Sequence, residues 1–83
     1  MTPAMSALGR LVRDRRDALK LTLRAAGEAA GVSFVTIRDI ERGHVARPTR
    51  ETLEGLSRAL DVPMSKLATA AYTEHPTTKE AVT

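Results

Sequence analysis

The side chains best suited to chemistry in this sequence lie in one short run, Ser33-Phe34-Val35-Thr36-Ile37-Arg38-Asp39. Ser33 and Thr36 can donate or accept a hydrogen bond, Arg38 offers a planar fork of donors, and Asp39 accepts. Phe34 and Val35 interleave apolar surface among them. Such a set recognises polar edges and methyl groups; it does not break bonds. Elsewhere no nucleophile with an adjacent base, no pair of carboxylates and no glycine-rich phosphate loop can be assembled, so no enzyme is expected. The chain has no cysteine, and His44 and His75 stand far apart without a cluster of carboxylates and histidines, so neither a metal nor a cofactor is expected. His44 is assigned to solvent or phosphate, and Met64 and Tyr72 to the core or a subunit contact.

Those residues need a scaffold, and the apolar spacing describes one. One Phe, one Tyr and no alternating β-branched run leave almost no strand signal, whereas apolar residues recur at helical spacing nearly throughout. With 83 residues and 42% hydrophobic content, the chain suits one compact domain with one core. The expectation is an all-α bundle of about five short helices over residues 1–72, followed by a polar tail at 73–83 with too few apolar residues to order alone.

A first helix starts near Ser6, with Leu8, Leu11, Val12 and Leu19 on its inner face and Arg10, Arg13, Arg15 and Lys20 on the others. Thr22 caps a second helix, Leu23 to Ala30, which Gly31 closes as a left-handed residue. Ala25, Ala26, Gly27, Ala29 and Ala30 leave that helix little bulk, which suits close approach by a neighbour. Ser33 caps a third helix that ends at Gly43, with Val32 stapled to Ile37, and Ile37 and Ile40 turned inward. A loop from Gly43 to Pro48 leads to Thr49, the cap of a fourth helix whose core stripe is Leu53, Leu56, Ala59 and Leu60. Asp61-Val62-Pro63 breaks it, and a fifth helix turns Met64, Leu67, Ala68 and Ala71 inward.

Charge is distributed unevenly. The formal net charge is +3, yet residues 1–50 carry ten Lys/Arg against five Asp/Glu, and residues 51–83 three against five. The basic part is the part that would meet a polyanion. No apolar run approaches the ~20 residues of a membrane span, and the first residues lack the charged and apolar regions of a signal peptide, so a cytoplasmic location is expected.

Two helices joined by a short glycine-containing turn, the second capped by serine, form a helix-turn-helix. The first of the pair lies across DNA phosphates and the second enters the major groove. Leu21-Thr22, Ala26-Gly27, Gly31-Val32-Ser33, Thr36-Ile37 and Ile40-Glu41-Arg42-Gly43, then Arg47-Pro48, Leu56, Ala59-Leu60 and Val62, resemble the signature of the Cro/C1-type (XRE) helix-turn-helix family, with its lambda-repressor-like fold. The resemblance covers roughly residues 7–70. It implies a sequence-specific transcriptional regulator, a phage or bacterial repressor or Cro-like protein. Such a protein would bind a pseudo-palindromic operator in double-stranded DNA as a homodimer, through a recognition helix at 33–42. The competing expectation is a protein-interaction module or antitoxin that holds a protein partner on the same scaffold, with Phe34 and Val35 as its anchor.

The family pattern further implies that Arg16 pairs with Glu41 and clamps the third helix. Base readout is assigned to Ser33, Phe34, Val35, Thr36, Arg38 and Asp39. Arg38 suits guanine O6 and N7, Asp39 suits cytosine N4, and Phe34 and Val35 suit a thymine methyl. Phosphate contacts are assigned to Arg10, Thr22, Arg42, His44, Arg47 and Arg50, and a dimer contact to an apolar edge at Val62, Met64 and Leu67. Two departures stand out. Leu23 occupies a position where the family commonly has a Gln that reaches DNA, and Gly27 one where it commonly has Ala.

Overall fold

The computed structural model describes residues 6–45 and 48–73, with side chains as far as Ala71. Among the described residues the chain is all helical: α1 (Ala7–Ala18), α2 (Leu23–Ala30), α3 (Phe34–Glu41), α4 (Arg50–Leu60) and α5 (Met64–Thr73). None of these helices is long and apolar enough to cross a membrane.

Each of the first four helices starts on a hydroxyl cap. Ser6 Oγ accepts from the Gly9 amide, Thr22 Oγ1 from Ala25, Ser33 Oγ from Val35 and Thr49 Oγ1 from Thr52, at 2.9 to 3.1 Å. Each bond satisfies one of the amides that a helix start leaves without an intrahelical partner. The same four helices also end alike, on a left-handed residue: Lys20 (φ 59°), Gly31 (φ 78°), Gly43 (φ 81°) and Asp61 (φ 56°). The next amide in each case reaches back five residues, Leu21 to Arg16, Val32 to Gly27, His44 to Asp39 and Val62 to Ser57. This is the Schellman termination, which satisfies carbonyls the helix would otherwise orphan.

The left-handed turn at Lys20 corrects one expectation. Leu19 was expected on the inner face of α1, but the helix stops at Ala18 and Leu19, at the cap, is 40% exposed. Once the backbone leaves helical geometry, the spacing that placed Leu19 beside Leu8 and Val12 no longer applies.

The core is one cluster built from Leu8, Val12, Ala26, Ala30, Ile37, Ile40, Leu53, Leu56, Leu60, Val62, Leu67 and Ala71. Small residues set its spacing. α2 packs against both α3 and α4. A Cβ on Gly55 of α4 would lie 2.1 Å from the Ala30 carbonyl oxygen, and one on Gly27 would lie 2.7 Å from the Val32 carbonyl oxygen. Glycine at 27 therefore lets the turn and the start of α3 lie closer to α2 than an alanine would allow.

A second correction concerns the dimer edge assigned to Val62, Met64 and Leu67. α5 folds back onto α1 and α4. Val62 is 4% exposed and Leu67 is fully buried, so their area is already spent within one chain and only Met64 of the three keeps some exposure. The open surface between α1 and α5 is instead a groove lined by Leu11, Pro63, Lys66, Thr69 and Ala70.

Candidate nucleic-acid interface

α2, the turn at Gly31 and α3 form the helix-turn-helix, and α3 is the element whose side chains could read another molecule. Its inner side is fixed by Ile37 and Ile40, both fully buried, and by Glu41, which is 7% exposed. A carboxylate so little exposed needs a partner. It has one in Arg16 of α1, whose Nε donates to Oε2 at 2.6 Å and Nη2 to Oε1 at 3.0 Å. The third guanidinium nitrogen, Nη1, donates to the Leu21 carbonyl at 2.9 Å. One arginine thus ties α1, the turn before α2 and the end of α3. The hydrogen bond to Glu41 holds the Arg16 guanidinium above its ordinary pKa against the opposing effect of burial.

The outer side of α3 carries the residues assigned to base readout. Ser33 is exposed, with its hydroxyl engaged as the helix cap, and Val35 is 37% exposed. Phe34, Thr36, Arg38 and Asp39 are half-buried. The Arg38 Nε lies 3.6 Å from Asp39 Oδ1, too long for a hydrogen bond, and is buried with no hydrogen-bond partner. The same Asp39 oxygen lies 3.9 Å from His44 Nδ1. These two residues, with Asp39 between them, form a polar group at the C-terminal half of α3.

The residues assigned to phosphate are spread over separate elements. Arg10 on α1, Thr22 at the start of α2, Arg42 at the end of α3, His44 in the following loop and Arg50 at the start of α4 are all exposed. Arg50 is engaged by Glu54 at 3.1 Å on its own helix. Arg47, the tail after Thr73 and the side chain of Tyr72 lie outside the described residues.

Two arginines have roles that sequence reading missed. Arg15, read as an outward residue, is half-buried and its Nε donates to the Leu60 carbonyl at 3.1 Å, closing the end of α4. Arg24, on the first turn of α2, sits over the ring of Phe34, its guanidinium carbon 4.4 Å from the ring centroid. The signal for this second contact was available in the motif, since a helix-turn-helix brings together the first turns of its two helices. For Arg15 no local signal existed, because its partner is a backbone carbonyl 45 residues away.

Comparison with known proteins agrees with this architecture. A family model described as helix-turn-helix matches residues 12–67. The chain is 37% identical over 67 residues to RghRB of Bacillus subtilis (strain 168), named as an uncharacterized HTH-type transcriptional regulator. That match takes in 81% of this chain and 48% of the relative, so the chain spans about half the length of the curated protein it matches. Among solved structures it is similar to the DNA-binding domain of the P22 C2 repressor, determined by nuclear magnetic resonance in solution. The identity is 35% and the TM-score 0.68, over 82% of this chain and 86% of that one. It is also similar to the crystal structure of the clp gene regulator ClgR from C. glutamicum, at 28% identity and a TM-score of 0.67, over 87% of this chain and 92% of that one.

Proposed function

This chain belongs to the Cro/C1-type helix-turn-helix family, and from that premise we propose that it is a sequence-specific regulator of transcription that reads duplex DNA with the outer side of α3. The observation that carries the reading is the two-sidedness of that helix. Ile37, Ile40 and the Arg16–Glu41 pair fix its inner side, while Ser33, Val35, Arg38 and Asp39 face outward on a rigid support. A recognition helix must be held firmly enough that a few side chains meet base edges without further ordering.

In this reading Arg38 donates to guanine O6 and N7. Val35 packs on a thymine methyl. Asp39 draws Arg38 and His44 into one group and selects against phosphate close to it. Thr22 and the amides at the start of α2 meet the backbone, and the exposed arginines add charge. The P22 C2 relative is a repressor, and repression is the role proposed here. The operator is pseudo-palindromic, bound by two copies whose recognition helices lie about 34 Å apart.

Selection of binding sites from random duplex DNA, followed by titration of the winner at two salt concentrations, tests this. Enrichment of a two-fold-related motif bound at least ~1,000-fold more tightly than random duplex supports the proposal. Failure to enrich any motif, with weak and steeply salt-dependent binding, refutes it and favours a protein partner held at Phe34 and Val35.

A further inference from the structure

Among the described residues Arg10, Arg24, Arg42 and Arg58 are the arginines in no ion pair or side-chain hydrogen bond, and what distinguishes Arg24 from the other three is an aromatic ring beneath it. Arg13, Arg16, Arg38 and Arg50 each have a carboxylate within 4 Å, and Arg15 is bonded to a carbonyl. No described ion pair or side-chain hydrogen bond includes Arg24, although Glu28 is one turn away on the same helix. What holds it is the Phe34 ring, 4.4 Å from the guanidinium carbon. A ring restrains a guanidinium without consuming its N–H donors. The result is an exposed guanidinium placed over the ring, with its N–H donors free of side-chain or carbonyl partners among the described residues, on the first turn of α2. In a helix-turn-helix complex that turn is where the first helix crosses the DNA backbone.

We propose that Arg24, positioned by Phe34, clamps a backbone phosphodiester of the bound duplex. The inference rests on the DNA-binding reading above and adds a residue to it. The two-oxygen face of a phosphodiester matches the guanidinium fork, which a lysine cannot reproduce. Phe34 begins α3, so the same ring that touches the reading helix fixes the phosphate contact. The register on the backbone and the placement of the reading helix are thereby linked. Leu23, where the family commonly carries a DNA-reaching Gln, packs against the core, and Arg24 next to it supplies the polar contact at this turn.

The test is a titration of wild type, Arg24→Ala, Arg24→Lys, Phe34→Leu and the Arg24→Ala/Phe34→Leu double variant. Each is measured on the selected duplex and on a random duplex of equal length over a range of salt, with thermal melts to establish that each is folded. Arg24→Ala is expected to weaken both duplexes alike, by roughly tenfold per bound copy, and to lower the log-log salt slope by about 0.9 per bound copy, so by about 1.8 for a duplex that holds two. Arg24→Lys keeps the slope but loses several-fold in affinity, and Phe34→Leu costs less once Arg24 is gone. Wild-type affinity for Arg24→Ala on both duplexes overturns the proposal and leaves the stack a structural contact. A loss confined to the selected duplex overturns it in favour of a base contact. Absence of duplex binding by the wild type removes it together with the reading it rests on.

Discussion

At the scale of single residues, burial decides which charges matter to this fold. Arg16 and Glu41 have side chains 15% and 9% exposed, joined by two hydrogen bonds, whereas Arg50 is 83% exposed beside Glu54. Pairs of the second kind contribute ~0 to 1 kcal/mol and are screened by salt. Removing Glu41 leaves the largely buried Arg16 with only the Leu21 carbonyl and the more distant Asp17 carboxylate at 3.9 Å, at a cost of up to about 3–5 kcal/mol. Glu41→Ala is therefore expected to lower unfolding free energy by up to that amount in urea titrations, and Glu54→Ala by less than ~0.5 kcal/mol. Equal effects from the two would contradict the clamp. From the arginine side the pair is insensitive to pH. A raised folded-state pKa gives stability that is fully present below the ordinary arginine value and lost only as pH rises through the elevated one. Residue by residue, the polar set on α3 was legible because its side chains have distinct chemistry. The Arg24 contact has its signal only in the motif, which brings the starts of α2 and α3 together, and none in the spacing along either helix.

At the scale of elements, starts were easier to read than ends. A hydroxyl before an apolar-periodic run marks a cap, and Ser6, Thr22, Ser33 and Thr49 all act as caps. Left-handed ends announce themselves when they are glycine, as at Gly31 and Gly43, and stay hidden when Lys20 or Asp61 adopts the same backbone. Spacing alone therefore puts Leu19 on the inner face of α1, although the helix ends at Ala18. It also makes a prediction: Lys20→Gly removes the steric cost of a side chain at φ 59° and should raise stability by about 0.5–1 kcal/mol, read as an increase in Tm. A fall in Tm would show that the turn gains more from a stiff unfolded chain than it loses to strain. Gly55 argues in the opposite direction. In a helix interior alanine normally gains about 1 kcal/mol over glycine. Here the added carbon would meet the Ala30 carbonyl oxygen at 2.1 Å, so Gly55→Ala should instead cost about 1–3 kcal/mol by forcing α2 and α4 apart. An unchanged or raised Tm would mean the two helices can separate freely.

At the scale of the whole molecule, the all-α class followed from periodicity and the absence of strand signals, and the order of the helices from their caps. How α5 lies was not legible. Apolar residues beyond Pro63 fit a core or an interface equally well by spacing, and only the return of α5 onto α1 and α4 places Val62 and Leu67 inside. The charge asymmetry of the chain fits the same picture, since residues 1–50, which hold the basic excess, also contain the helix-turn-helix, and three of their arginines, Arg42, Arg47 and Arg50, follow α3 directly. The central claim is that the outer side of α3 chooses the DNA sequence. The most direct test repeats the selection from random duplex DNA with Val35→Asn beside the wild type, because Val35 is exposed on that side and bears no load in the core. The variant should recover the same two-fold-related motif with its thymine preference lost at one position in each half-site. Recovery of an identical motif at every position would contradict it and move the reading surface away from α3.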